Sequence, residues 1–204
     1  MTKTKPVITI ATFNSGKAAE YRTMLKDVNA RIRTLDEYSA ISAVPETAPS
    51  FAGNAAIKAC GYAVATGTVT LADDSGLEVA ALGGRPGVLS ARYGGDDLSF
   101  AEKMQMILRE MASAASMDRR ARFVCEIAMA DPTGKILLTA RGICNGTIAP
   151  EPRGTGGFGY DPVFIPDGYD VTFGELAEVV KHQISHRARA FAQIIPYLRD
   201  YTAV

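Results

Sequence analysis

The sequence is poor in the residues that staple or clamp small folds. Its three cysteines, Cys60, Cys125 and Cys144, are odd in number, far apart and without CxxC spacing. That excludes a disulfide framework and a cysteine-ligated zinc site. An excess of one charge is also missing, since Lys+Arg and Asp+Glu are both 22. A general nucleic-acid or membrane-surface binder, which needs a basic excess, is excluded in turn. The basic cluster Arg119-Arg120-Ala121-Arg122 reads either as a solvated approach to the next strand or as a phosphate-binding patch. Long apolar runs are missing as well: MTKTKPVITIA has no signal-peptide core, and no segment could span a bilayer. A reducing, cytoplasmic setting is expected. Repeats, low-complexity tracts and linkers do not stand out, and 204 residues suit a single domain over 1–204.

What is there is a chain 47% hydrophobic, long enough to bury a proper core. The β-branched run Val7-Ile8-Thr9-Ile10-Ala11 predicts a buried strand, then a loop over Thr12–Gly16 and a helix over Lys17–Lys26. A loop carries Pro45-Glu46-Thr47-Ala48-Pro49, and a second helix is expected over Phe51–Thr66. Val69–Ala72 predicts a second buried strand, which Ser75-Gly76 stops just beyond Asp73-Asp74. Ser99-Phe100-Ala101-Glu102 has capping-box spacing and opens a helix through Met111. Phe123–Ala130 and Lys135–Cys144 flank Asp131-Pro132-Thr133-Gly134 as a hairpin. Ser185 is the expected N-cap of a last helix running to about Tyr201, with Pro196 inside it. Strand–helix alternation followed by a hairpin predicts an α/β fold, a mixed twisted central sheet flanked by helices.

Four groups of residues carry chemistry. Thr12-Phe13-Asn14-Ser15-Gly16-Lys17 leaves a strand and enters a helix, where backbone N–H groups, hydroxyls and a lysine suit an anion. An ordinary strand–helix turn with a surface lysine has the same pattern. Glu46, Asp73 and Asp74 are hard-oxygen donors of the kind that hold Mg²⁺ beside a polyphosphate. Adjacent strand residues alternate faces, so the two aspartates converge only if the strand stops there; a plain Asp-Ser-Gly turn is the alternative. The cations are Lys58, one helical turn after Asn54, with Lys181, His186 and Arg187. His186 and Arg187 fall in the first turn of the last helix and oppose its dipole, a local cost that points to a nearby anion or acceptor. Solvated side chains are the alternative there, and His182 is expected at the surface. In Gly154–Pro162, glycines let backbone approach a ligand and Phe158 can stack on a base. Asp161, held extended by Pro162, could accept from a ring N–H, unless the segment is a flexible surface loop.

Taken in order, TFNSGK, FAGNAAIKA, ADDSGLEV, GRPGVLSARYGG, GGFGYDPVF and K…SHR resemble the inosine triphosphate pyrophosphatases, or XTP/dITP diphosphatases, over nearly the whole chain. The resemblance implies Mg²⁺-dependent hydrolysis of ITP, dITP and XTP to the monophosphate and pyrophosphate. It also implies an elongated two-lobed fold with a cleft between the lobes. The partners implied are a small-molecule nucleotide and a second copy of the chain, with no nucleic acid or membrane. Carried over by position, Thr12, Phe13, Asn14, Ser15, Gly16 and Lys17 would hold the triphosphate and Lys58 would support it. Asp74 would be proton acceptor and metal ligand, Glu46 a second acidic ligand, and Asp73 a supporting one. Ser75, Phe158, Gly159, Tyr160, Asp161, Lys181, His186 and Arg187 would contact substrate. Lys17, Lys58 and Lys181 would stabilise the leaving pyrophosphate. His186 and Arg187 as donors would favour a 6-oxo purine over adenine. Many members have Glu where this chain has Gly53, and Asn where it has His182. A pyrophosphatase for another modified nucleotide and a non-catalytic nucleotide-binding regulator are the competing readings, the intact acidic set speaking against the second.

Overall fold

The computed structural model describes residues 5–39 and 41–200. The β-branched run forms β1 (Val7–Ile10), which pairs in parallel with β2 (Arg31–Thr34) on one side and β3 (Val69–Val79) on the other. The chain passes from β1 to β2 through α1 (Ser15–Met24) and from β2 to β3 through α2 (Phe51–Thr66). Those crossovers run in opposite directions along the sheet, so right-handed connections put α1 and α2 on opposite faces. The remaining strands are β4 (Arg120–Ala130), β5 (Ile136–Ile148) and β6 (Phe164–Pro166), joined in the order β2-β1-β3-β4-β5-β6. β5 and β6 are antiparallel, which makes the sheet mixed, as expected from the sequence. Helices α3 (Phe100–Ser113), α4 (Glu178–Ile184) and α5 (His186–Asp200) complete the α/β fold.

Local signals set most of the boundaries. α2 begins and ends where expected, with Ser50 Oγ accepting from Gly53 N and Gly67 closing it in a left-handed conformation. Ser99 and Glu102 form the expected capping box of α3. α1 starts two residues earlier than the periodicity suggested, because Asn14 Oδ1 caps it by accepting from Lys17 N at 2.9 Å. Asp131 Oδ1 accepts from Thr133 N and holds the β4–β5 turn. Ser185 separates α4 from α5 and accepts from Ala188 N at 3.2 Å, as an N-cap does. Pro196 lies inside α5, and Tyr201, the expected helix end, falls outside the described residues.

The main correction concerns β3. Ser75-Gly76 does not end the strand, which runs unbroken for 11 residues through both aspartates to Val79. Leu77 and Val79 continue the buried alternation and carry the ladder past the local turn signal. Asp73 and Asp74 therefore point to opposite faces of the sheet.

The chain packs into two compact units, one of Met1–Asp74, Glu126–Arg141 and Ala190–Val204, the other of Ser75–Cys125 and Gly142–Arg189. In the first, Ala55, Ala59, Tyr62 and Ala63 of α2 pack on Ala11, Ala72, Ala128 and Ala130. The second closes around Leu77, Val79, Ile107, Phe123, Phe164 and Phe173. The three cysteines are free thiols. Among the described residues no helix is long and apolar enough to cross a membrane.

Candidate active site

In the first unit, β3 delivers one carboxylate to each helix layer. Asp73 accepts from Lys17 Nζ of α1 at 2.9 Å. Asp74 meets α2 instead, where Asn54 Nδ2 donates to its Oδ2 at 3.1 Å and Lys58 Nζ lies 3.5 Å from its Oδ1. The same Lys58 ammonium is 2.8 Å from Glu46 Oε1, so one cation is shared by two carboxylates. Asn54 and Lys58 reach Asp74 together because residues four apart share a helix face. Asn54 is fully buried and was not among the expected site residues, although its spacing from Lys58 was visible. Its Oδ1 accepts from Ala48 N at 2.8 Å, tying the Glu46 loop to Asp74 through one side chain.

Electrostatics follow from this packing. Burial pushes the Asp74 carboxyl above its ordinary value, and Lys58, Lys17 and the Asn54 amide only partly pull it back. Burial acts on Lys58 in the other direction, but Asp74, Asp73 and Glu46 together outweigh it and hold the ammonium above its ordinary value. At neutral pH the lysine is charged. Gly53 faces the same loop, and a Cβ there would stand 2.5 Å from Ala48 Cβ. The space a side chain needs at that position is filled.

The expected phosphate loop precedes α1. Thr12 Oγ1 accepts from Asn14 N at 3.1 Å, and Ser15 and Gly16 form the first turn of the helix. Phe13 is 61% exposed and meets Tyr62 edge to face at 6.3 Å. Lys17 thus follows a helix N-terminus whose open N–H groups favour an anion.

The second unit assembles the other expected residues. Asp161 is not extended before Pro162 but opens a short 3₁₀ turn over Asp161–Val163. Its Oδ2 accepts from Phe158 N at 2.7 Å and from Lys181 Nζ at 2.6 Å. Gly157 makes this possible: at φ +70° it keeps open the space in which a Cβ would run into that same carboxylate. Lys181 also lies 4.4 Å from the centre of the Phe158 ring. Arg187 sits 5.8 Å from that ring, and its NH2 donates to Ser75 Oγ at 3.3 Å. Lys181, His186 and Arg187 are all buried, so none is the solvated surface cation that single-residue reasoning allowed. His186 stacks on Phe123 at 4.7 Å, an arrangement no local pattern announces. Gly159 packs under Phe100, while Tyr160 is buried with its hydroxyl on Ser90 O. His182, expected at the surface, is half-buried and faces Glu178 one turn earlier at 3.5 Å.

Among the described residues no three His, Cys, Asp or Glu side chains form a preformed cage. Magnesium requires less, namely one or two carboxylates completed by substrate oxygens and water. Glu46 and Asp74, bridged by one ammonium, are a pair of that kind, and the residues fit. Asp73 turns its carboxylate to Lys17 on the other face.

Comparison with known proteins agrees along the length of the chain. A family model described as the Ham1 family matches residues 8–197. A protein of Nostoc sp. named dITP/XTP pyrophosphatase is 44% identical over 190 residues, 93% of either chain. The structure of a HAM1 protein from Coxiella burnetii superposes with a TM-score of 0.89 at 39% identity, covering 96% of this chain and 100% of that one. The Staphylococcus aureus Ham1 protein follows at 0.83 and 36%, covering 94% and 97%.

Proposed function

The chain belongs to the Ham1 family, and from that premise we propose that it hydrolyses the noncanonical purine nucleotides dITP, ITP and XTP to the monophosphate and pyrophosphate, clearing them from the nucleotide pool. The observation that carries the reading is the acid–lysine alternation of the first unit: Lys58 between Glu46 and Asp74, and Lys17 on Asp73. Such an arrangement handles dense negative charge, and a bare binding module has no use for its buried, proton-hungry aspartate.

Glu46 and Asp74 would hold Mg²⁺, while Asp73, on the other face of β3, holds Lys17 instead; when bound, the ion supplies positive charge to the phosphate oxygens. The protein's own groups do the rest. Thr12 to Lys17 present the α1 N-terminus to the triphosphate. Asp74, its carboxyl raised by burial, takes a proton from the water that attacks the α-phosphorus. The new P–O bond forms as the bond to the β-phosphate oxygen breaks, and the two electrons leave with pyrophosphate. Lys17 and Lys58 stabilise that charge. Lys181, engaged with Asp161 and Phe158, serves the base rather than the leaving group.

The second unit takes the purine. Phe158 offers a stacking face, and Arg187 with His186 offers donors to a 6-oxo group. Adenine, with a 6-amino donor, would leave those buried groups unpaired, which can discriminate by about 10⁴. The chain acts as a single catalytic domain in this reading; homodimeric assembly rests on the resemblance, and a cytoplasmic setting on the cysteine usage and the N-terminal sequence.

The test is product identification. The protein is incubated with Mg²⁺ and dITP, XTP, dGTP, dATP or dUTP, and pyrophosphate and orthophosphate are measured separately. Pyrophosphate from dITP and XTP, with dATP far slower, is expected. Orthophosphate as the product, or dATP turned over as fast as dITP, overturns the proposal.

A further inference from the structure

We propose that Ser90 is a positioning residue for purine selection, fixing the spacing between Ser75 and Phe158. The proposal rests on the pyrophosphatase reading above and deepens it. Ser90 is 5% exposed and lies in the segment Gly87–Arg92, remote in sequence from every residue assigned to chemistry. Its hydroxyl accepts from Leu77 N at 2.9 Å and donates to Gly87 O at 2.6 Å. Its carbonyl accepts from Tyr160 OH at 2.8 Å. One residue thus grips two segments of the second unit.

Both grips are two residues from a proposed ligand contact. Leu77 follows Ser75 on the same face of β3, since strand side chains repeat every second residue. Tyr160 follows Phe158 in the GGFGYDP segment. Arg187 closes the ring by touching both Ser75 and Phe158. The reach of Arg187 over a base therefore depends on a distance that Ser90 sets. With both of its oxygens engaged by protein groups, Ser90 is left without a part in the chemistry itself. Its own segment is held separately, by Lys103 Nζ donating to Ala91 O at 2.6 Å and by Tyr93 OH donating to Glu110 Oε2 at 2.8 Å.

The experiment compares Tyr160→Phe, Ser90→Ala and Ser90→Thr with wild type, using dITP and dATP as separate substrates. Tyr160→Phe removes one hydroxyl and keeps the ring against Phe100. Tyr160→Phe, which loses one hydrogen bond, is expected to raise the KM for dITP about 5- to 10-fold, and Ser90→Ala, which loses two, at least as much, each with kcat within about twofold. The dITP-over-dATP ratio of kcat/KM should narrow by a similar factor, and Ser90→Thr, which keeps the hydroxyl, should restore both. Tyr93→Phe, which loosens the anchor but not the grip, should lower Tm without moving KM. Loss of Tm with KM and the ratio unchanged in the first two variants overturns the proposal, as does loss of kcat at unchanged KM. A wild-type protein that binds dITP without releasing pyrophosphate sinks the pyrophosphatase reading alone, and the same fold-loss, read as calorimetric Kd, then decides the role of Ser90. Wild type that neither binds nor hydrolyses dITP overturns both.

Discussion

Asp74 carries its charge at a cost, since burial favours the neutral acid while Lys58 and Asn54 favour the anion. A group balanced in this way is suited to accept a proton during a reaction. Asp74→Asn keeps the shape and removes the proposed base. It is expected to lower kcat about 10²- to 10⁴-fold while nucleotide binding, measured by calorimetry, survives. A second carboxyl that burial disfavours as an anion lies on β4. Glu126 on β4 is raised by burial, which Arg141 at 3.1 Å offsets only in part. A carboxyl whose folded value exceeds its unfolded one contributes stability below the unfolded value, and loses it as pH rises through the folded value. Glu126→Gln should therefore raise Tm at pH 7 and make no difference near pH 4, as thermal melts at the two pH values would show. The broken ion pair subtracts little, because Arg141 is half exposed.

The elements differ in how openly the sequence declared them. Where a boundary depends on a residue within a few positions, it was legible: Ser50 and Gly67 bound α2, and Ser99 with Glu102 opens α3. That dependence can be measured. Ser99→Ala should cost about 1 kcal/mol and lower Tm by a few degrees, without changing KM, because two hydrogen bonds of the cap are lost together. Elements set by distant partners were not legible. β2 is four residues with two arginines, and it exists because β1 offers a parallel edge. β3, flanked on its other side by β4, overrode Ser75-Gly76, and with it fell the idea that the two aspartates converge. The acidic and cationic residues of the site were readable by type and order. Their pairing was not: that Lys17 meets Asp73, that Asn54 meets Asp74 and that Lys181 meets Asp161 are facts of packing across 20 to 56 positions of chain.

At the scale of the molecule, a single cut in sequence could not separate the two units. β3, β4, β5 and α5 each pass from one to the other, at Asp74–Ser75, Cys125–Glu126, Arg141–Gly142 and Arg189–Ala190. The first unit is assembled from three stretches and the second from two. Its last stretch supplies Phe191, which packs edge to face on Tyr21 of α1 at 6.1 Å. Order of synthesis then inverts order of completion. On the ribosome, every residue of the second unit has been made by Arg189, while α1, translated long before, still waits for the helix that covers it. The unit that begins the chain is the one whose residues are completed last.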